Sequence, residues 1–115
     1  MGFRGCLPHP GVQSGRPVTY LDPIAEAIRA AVPSVRLPEE DTDHLFRLYA
    51  VLLLAKGEGV TGEDVHNAWV AWMASRGEEH ESMVPFAELP SETQGEDSPF
   101  VVAIRLVAKS RQDLS

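Results

Sequence analysis

The chain has one cysteine, Cys6, so no disulfide can close within it and any fold must rest on its own core. A lone thiol fits a reducing compartment, and the cytoplasm is the expected location. Long hydrophobic runs are also missing: the longest, Leu48 to Ala55, falls far short of the roughly 20 residues that span a bilayer. The N-terminus lacks the apolar segment of a secretion signal, so neither a membrane segment nor export is expected. Basic residues are scarce, 10 Lys and Arg against 17 Asp and Glu, for a net charge of -7. No Lys/Arg cluster forms a phosphate-tracking stripe, which disfavours nucleic acid as a partner.

Recognised catalytic patterns are absent as well. There is no HExxH, no Cys pair, no Gly-rich phosphate loop ending in Lys and Ser/Thr, and no G-x-S-x-G elbow. His9, His44, His66 and His80 match no standard zinc spacing. The expectation is a non-enzymatic protein with no catalytic residue, no metal and no cofactor.

What remains is the composition of one globular domain: 115 residues, 43% hydrophobic and 23% charged. Residues 1–17 hold four Gly and three Pro with few aliphatics, too little apolar surface to offset the entropy of ordering them. They read as a flexible leader, either an upstream extension or an arm that orders on a partner. The domain is expected over 18–110, with 111–115 as a fraying tail.

Within it, hydrophobic periodicity predicts an all-α fold, a small bundle of about four helices. The first starts at Asp22 as cap with Pro23 following, carries Ile24, Ile28, Ala31 and Val32 at helical spacing, and stops at Pro33. Pro38 to Asp41 reads as a solvated acidic connection, with Asp41 or Thr42 as the next cap. Leu45 to Ala55 is apolar on almost every side, which predicts a core helix covered all round and closed by Lys56 and Gly57. Thr61 and Asp64 form a capping box, and Val60 with Val65 a hydrophobic staple, so a third helix starts at Gly62. Its apolar face holds Val65, Ala68, Trp69, Trp72 and Met73, with both tryptophans as core anchors. An ordered loop follows, in which Pro85 and Pro90 bracket Phe86 and Leu89. Ser98 then caps a last helix, with Pro99 at its first position and Phe100, Ile104, Val107 and Ala108 facing inward.

Three features bear on function. His66 and Trp69 are neighbours on the third helix, and read either as a boundary histidine beside a core tryptophan or as a pocket wall offering a hydrogen bond and a stacking face. Glu78, Glu79, His80 and Glu81 read as a solvated acidic loop. The segment from Thr61 to Trp72 has the outline of a helix-turn-helix recognition helix, but Glu63 and Asp64 would face the DNA backbone, so a DNA-binding regulator is a lesser alternative.

The string His80-Glu81-Ser82-Met83-Val84-Pro85-Phe86-Ala87-Glu88-Leu89-Pro90, continuing to Asp97, resembles the signature of the RyR domain, the repeat of ryanodine receptors that also occurs in bacterial and phage proteins. His80, Val84, Pro85, Leu89 and Asp97 match it, and Met83 and Phe86 are similar replacements. His66 to Trp69 resembles the helix that precedes this loop, so the likeness covers about residues 45 to 105. Gln94 stands where that family has lysine and Ser98 where it has arginine, and a Gly-Trp insertion before His80 is missing. The resemblance implies a compact helical module that senses a nucleotide-like small molecule. His66, Trp69, His80, Val84, Pro85 and Phe86 are the candidate ligand-binding residues. The alternative partner is a protein: self-assembly, or a place in a larger phage or bacterial machine. The oligomeric state is open.

Overall fold

The computed structural model describes residues 19–37 and 42–114. The expected flexible leader, the Pro38 to Asp41 connection and Asp41 as a cap lie outside the described residues. Those described form an all-α bundle of four long helices and one short one, with no strand among them: α1 (Leu21–Ala31), α2 (Asp43–Lys56), α3 (Gly62–Ser75), α4 (Ser91–Gly95) and α5 (Ser98–Leu114).

α1 begins earlier than Asp22. The Thr19 hydroxyl accepts the Leu21 N–H at 3.2 Å, and the Asp22 carboxylate reaches back to the Thr19 N–H at 3.0 Å. Asp22 is thus the acidic partner in the first turn rather than the cap, and its carboxylate also holds Arg47 of α2 at 2.7 Å. Ile24, Ile28 and Val32 bury one face against α2 and α5. Arg29 donates to the Thr42 hydroxyl and the Asp43 carboxylate at 3.1 and 3.0 Å, and its guanidinium lies 4.4 Å from the centre of the Phe46 ring. One long cation thereby ties α1 to the start of α2 across the connection.

α2 is the central helix, but it is not covered all round. Leu45, Phe46, Tyr49, Ala50 and Leu53 are buried, whereas Val51 and Leu54 are each 47% exposed. Among the described residues α1, α3 and α5 pack around it, and they leave Val51 and Leu54 in its second half to solvent. Gly57 ends it at φ 56, where a side chain would be strained.

The local signals for α3 are realised in full. The Thr61 side chain accepts the Asp64 N–H, the Asp64 carboxylate accepts the Thr61 N–H, and Val60 and Val65 are fully buried beside the cap. Lys56 adds an ion pair to Asp64 at 3.0 Å. The helix closes in a Schellman motif: Gly77, at φ 73, donates to Ala74, and Glu78 donates to Met73.

α5 starts at Ser98, its expected cap, so the cap itself falls one residue earlier. The Val101 N–H bonds to the Asp97 carbonyl, which makes Asp97, not Ser98, the N-cap. Val101, Ala103, Ile104 and Ala108 bury the inner face, and Phe100 and Val107 are half-buried against it. The helix runs on to Leu114, past the expected fraying point at Ser110. Arg105 donates to the Val60 carbonyl at 2.9 Å, fixing α5 to the turn between α2 and α3. Fully burying side chains such as Ile28, Phe46 and Ile104 contributes about 1.5–3 kcal/mol each.

Candidate functional site

The segment from Glu78 to Asp97 borders an open cavity of about 370 Å³. Its floor is the core itself, Leu45 and Tyr49 of α2 with Phe100 of α5. Phe46, Tyr49 and Phe100 form one aromatic cluster, with centroids 5.2 to 6.4 Å apart. Trp69 and His66 of α3 make one wall, the loop supplies His80, Ser82 and Leu89, and Thr93, Glu96 and Asp97 close the far side. Arg36, in the 3-10 turn after α1, supplies the cation at the rim. A wider depression of about 570 Å³ between the ends of α2 and α5 is lined by residues such as Leu54, Lys56 and Gln112, with no aromatic ring. The chemistry therefore concentrates in the first cavity.

The two tryptophans of α3 part company here. Trp72 is a core anchor, buried with its face under the Arg76 guanidinium at 4.4 Å, whereas Trp69 is only half-buried and stands in the cavity wall. The His66 ring lies near-parallel to Trp69 at 5.8 Å, and the His80 ring meets it edge-on at 5.4 Å. His66 is 3% exposed, deeper than a boundary residue. Its Nε2 lies 2.6 Å from the Val84 carbonyl; a carbonyl only accepts, so Nε2 carries a proton and donates. The His80 Nδ1 accepts the Ser82 N–H at 3.0 Å, which places the proton of the neutral ring on Nε2.

Of the six residues expected from sequence to bind a ligand, the structure brings His66, Trp69 and His80 to the cavity. Val84, Pro85 and Phe86 are not in its lining. They stand behind His66: the Val84 carbonyl accepts its Nε2–H, the Phe86 ring is 6.0 Å away, and Pro85 precedes the 3-10 turn Phe86–Glu88. Phe86 also packs against α3, where a Cβ on Gly62 would come within 3.1 Å of its ring. Gln94 holds the loop shut. Its amide donates to both the Phe86 and the Leu89 carbonyls at 3.0 Å.

Asp97 is one of the lining residues, with Arg36, Tyr49 and Phe100, that sequence reasoning left out of the site, although it was present in the RyR-like pattern. Its carboxyl is half-buried, and no hydrogen bond or ion pair from a described residue reaches it. Burial raises its pKa to about 6; neighbouring Glu96 raises it too, and His66 pulls the other way. The same carboxylate adds to burial in pushing the Tyr49 hydroxyl above its ordinary range. A titratable group perturbed by desolvation and turned to a cavity is a mark of a functional site. Among the described residues no group of three or more His, Cys, Asp or Glu is arranged to hold a metal ion.

Residues 19–109 match a family model described as a domain of unknown function, DUF7701. The chain belongs to the DUF7701 family. No curated protein and no solved structure matches it. In this DUF7701 domain the match takes in every described residue that lines the cavity, from Arg36 to Phe100. No helix among the described residues is long and apolar enough to cross a membrane.

Proposed function

We propose that this DUF7701 domain is a non-enzymatic ligand-binding module for a planar, nucleotide-like small molecule, as its resemblance to RyR-type modules implies. The observation that carries the reading is the 370 Å³ cavity, with an indole in its wall and, at its edge, a carboxyl that no described residue bonds. That volume lies in the range of small-molecule sites, about 300–1,000 Å³, and the lining has their usual make-up of apolar rings with a few convergent polar groups. In this account Trp69 offers a ring face, Asp97 and His80 fix orientation, and the Gln94-clamped loop holds the wall in place before the ligand arrives. A wall already fixed lowers the ordering cost of binding. The lone Cys6 continues to favour a reducing cytoplasm as the compartment.

A thermal-shift panel of nucleosides, nucleotides and nucleotide sugars tests this. A ligand at 100 times its Kd adds about 2.7 kcal/mol to native stability, so a binder raises the Tm of the natural chain and not that of W69A. If no compound in the panel moves the Tm, the small-molecule reading is wrong.

A protein-interaction role is the second reading, favoured by Val51, Leu54, Val102 and Leu106, large aliphatics each 47–55% exposed on α2 and α5. Light scattering over a concentration series tests it: a mass that stays monomeric throughout counts against self-assembly.

A further inference from the structure

Resting on the ligand-binding reading above, we propose that Asp97 selects the ligand by accepting two adjacent N–H donors, an amidine-type edge, on a planar ring that lies against Trp69. A carboxylate at the start of a helix ordinarily caps it. Here the Phe100 and Val101 N–H groups bond to the Asp97 carbonyl, and the carboxylate makes no bond to them. Its acceptor sites face a cavity in which Trp69 and Phe100 supply aromatic surface. Two carboxylate oxygens match two parallel N–H donors, and such paired bonds are among the stronger ones when one partner is ionised.

The charge balance of the lining points the same way. Asp97 and Glu96 are acidic, and among the described residues of the lining Arg36 supplies the only permanent positive charge. Gln94 cannot serve a phosphate, since both amide hydrogens are committed to loop carbonyls. Two carboxyl groups stand against one guanidinium among these residues, so the site favours a ligand that brings donors, neutral or cationic, over one whose main feature is negative charge. Asp97 is faced by His66 from α3, Tyr49 from α2 and Glu96 beside it, with Arg36 and His80 in the same lining.

The test is calorimetric titration of the full chain and of D97N with two pairs of probes. Benzamidine and benzamide share a ring, but the first presents two donors and the second a donor and an acceptor; guanosine and adenosine form the neutral pair. Benzamidine and guanosine are expected to bind the natural chain at least about tenfold tighter than their partners. D97N, which presents one donor and one acceptor, reverses the benzamidine–benzamide order. Preference for benzamidine alone, with guanosine no better than adenosine, would mean that positive charge is read rather than the donor edge, and overturns the proposal. With Asp97 titrating at about 6, benzamidine affinity for the natural chain falls about tenfold between pH 7.5 and pH 5, while benzamide binding to D97N shows no such fall. This arm needs no substitution in the benzamidine measurement. An unchanged order in D97N, with the Trp69 indole resonance still moved by ligand, removes Asp97 from the selection but leaves the binding module standing. Binding of adenosine or benzamide alone does the same. Failure of all four probes overturns the proposal, and the thermal-shift panel then decides separately whether the cavity binds anything.

Discussion

Replacing Asp97 by Asn should make the protein more stable at neutral pH. The carboxyl titrates at about 6 in the folded chain against an ordinary 3.8, chiefly because burial disfavours its charged form. A shift of that size corresponds to about 3 kcal/mol at 1.36 kcal/mol per unit. Half the group remains open to water, and solvent screening reduces the figure to about 1–1.5 kcal/mol. The folded state holds this proton more tightly than the unfolded chain, so ionisation costs folding energy. The cost is absent below about pH 4, where the group is protonated in both states, grows between pH 4 and 6, and is complete above that. Asn keeps the shape and removes the charge. Urea denaturation followed by circular dichroism should give D97N an advantage of about 1 kcal/mol at pH 7.5, or roughly 4 °C in Tm. At pH 4.5 that advantage should fall to about a third. A D97N chain less stable than the natural one at pH 7.5, or an advantage equal at both pH values, would refute the assignment. A residue kept at a cost to stability is the trade-off expected where function needs a charge in a partly dry place.

Five further substitutions separate framework from site. Q94A removes the clamp on the Phe86 and Leu89 carbonyls and should cost about 1–3 kcal/mol, with faster hydrogen exchange confined to the loop from His80 to Leu89. W72A opens a hole in the core and should cost about 3–5 kcal/mol, whereas W69A should cost clearly less in denaturation yet abolish ligand-induced thermal shifts. T61A breaks the capping box of α3 and should cost about 1 kcal/mol. The Asp64 carboxyl of the same box is held below its ordinary pKa: burial works against this, but the Thr61 N–H and hydroxyl and the Lys56 ammonium outweigh it. Its contribution is therefore present above about pH 4 and lost as the pH falls further, which a stability–pH profile of D64N against the natural chain checks.

The features legible in the sequence are those whose partners lie within a few residues. The Thr61–Asp64 box, the Val60–Val65 staple, the Gly57 and Gly77 stops and the buried stripes of α1 and α5 are of this kind, and together they define a helical bundle. Errors appear where two local signals compete or where a distant element decides. Thr19 and Asp22 both suit a cap, and their reciprocal bonds start the helix at Leu21, one residue before Asp22. Ser98 and Asp97 compete likewise at α5. Leu-rich α2 reads as wrapped all round, yet the number of neighbours a helix receives is set by topology, which leaves Val51 and Leu54 wet. Trp69 and Trp72 share a stripe, and only the position of the Glu78–Asp97 loop makes one a cavity wall and the other core. His66, Trp69 and His80 were legible because the first two share a helix face and the third stands in the RyR-like string. Arg36, Tyr49, Phe100 and Asp97 reach the cavity from three other places in the chain, and no spacing rule connects them. The aspartate of the RyR-like pattern was the one available signal for Asp97.

The central claim, that the cavity between Trp69 and Asp97 is a ligand site, is tested most directly by titrating planar heterocyclic fragments into the ¹⁵N-labelled chain and following its two indole resonances. Binders are expected to move the Trp69 indole N–H and the Asp97 amide while the Trp72 indole stays fixed. Shifts confined to the Val51–Leu54 side of α2, or no shift at Trp69 from any fragment, would contradict it.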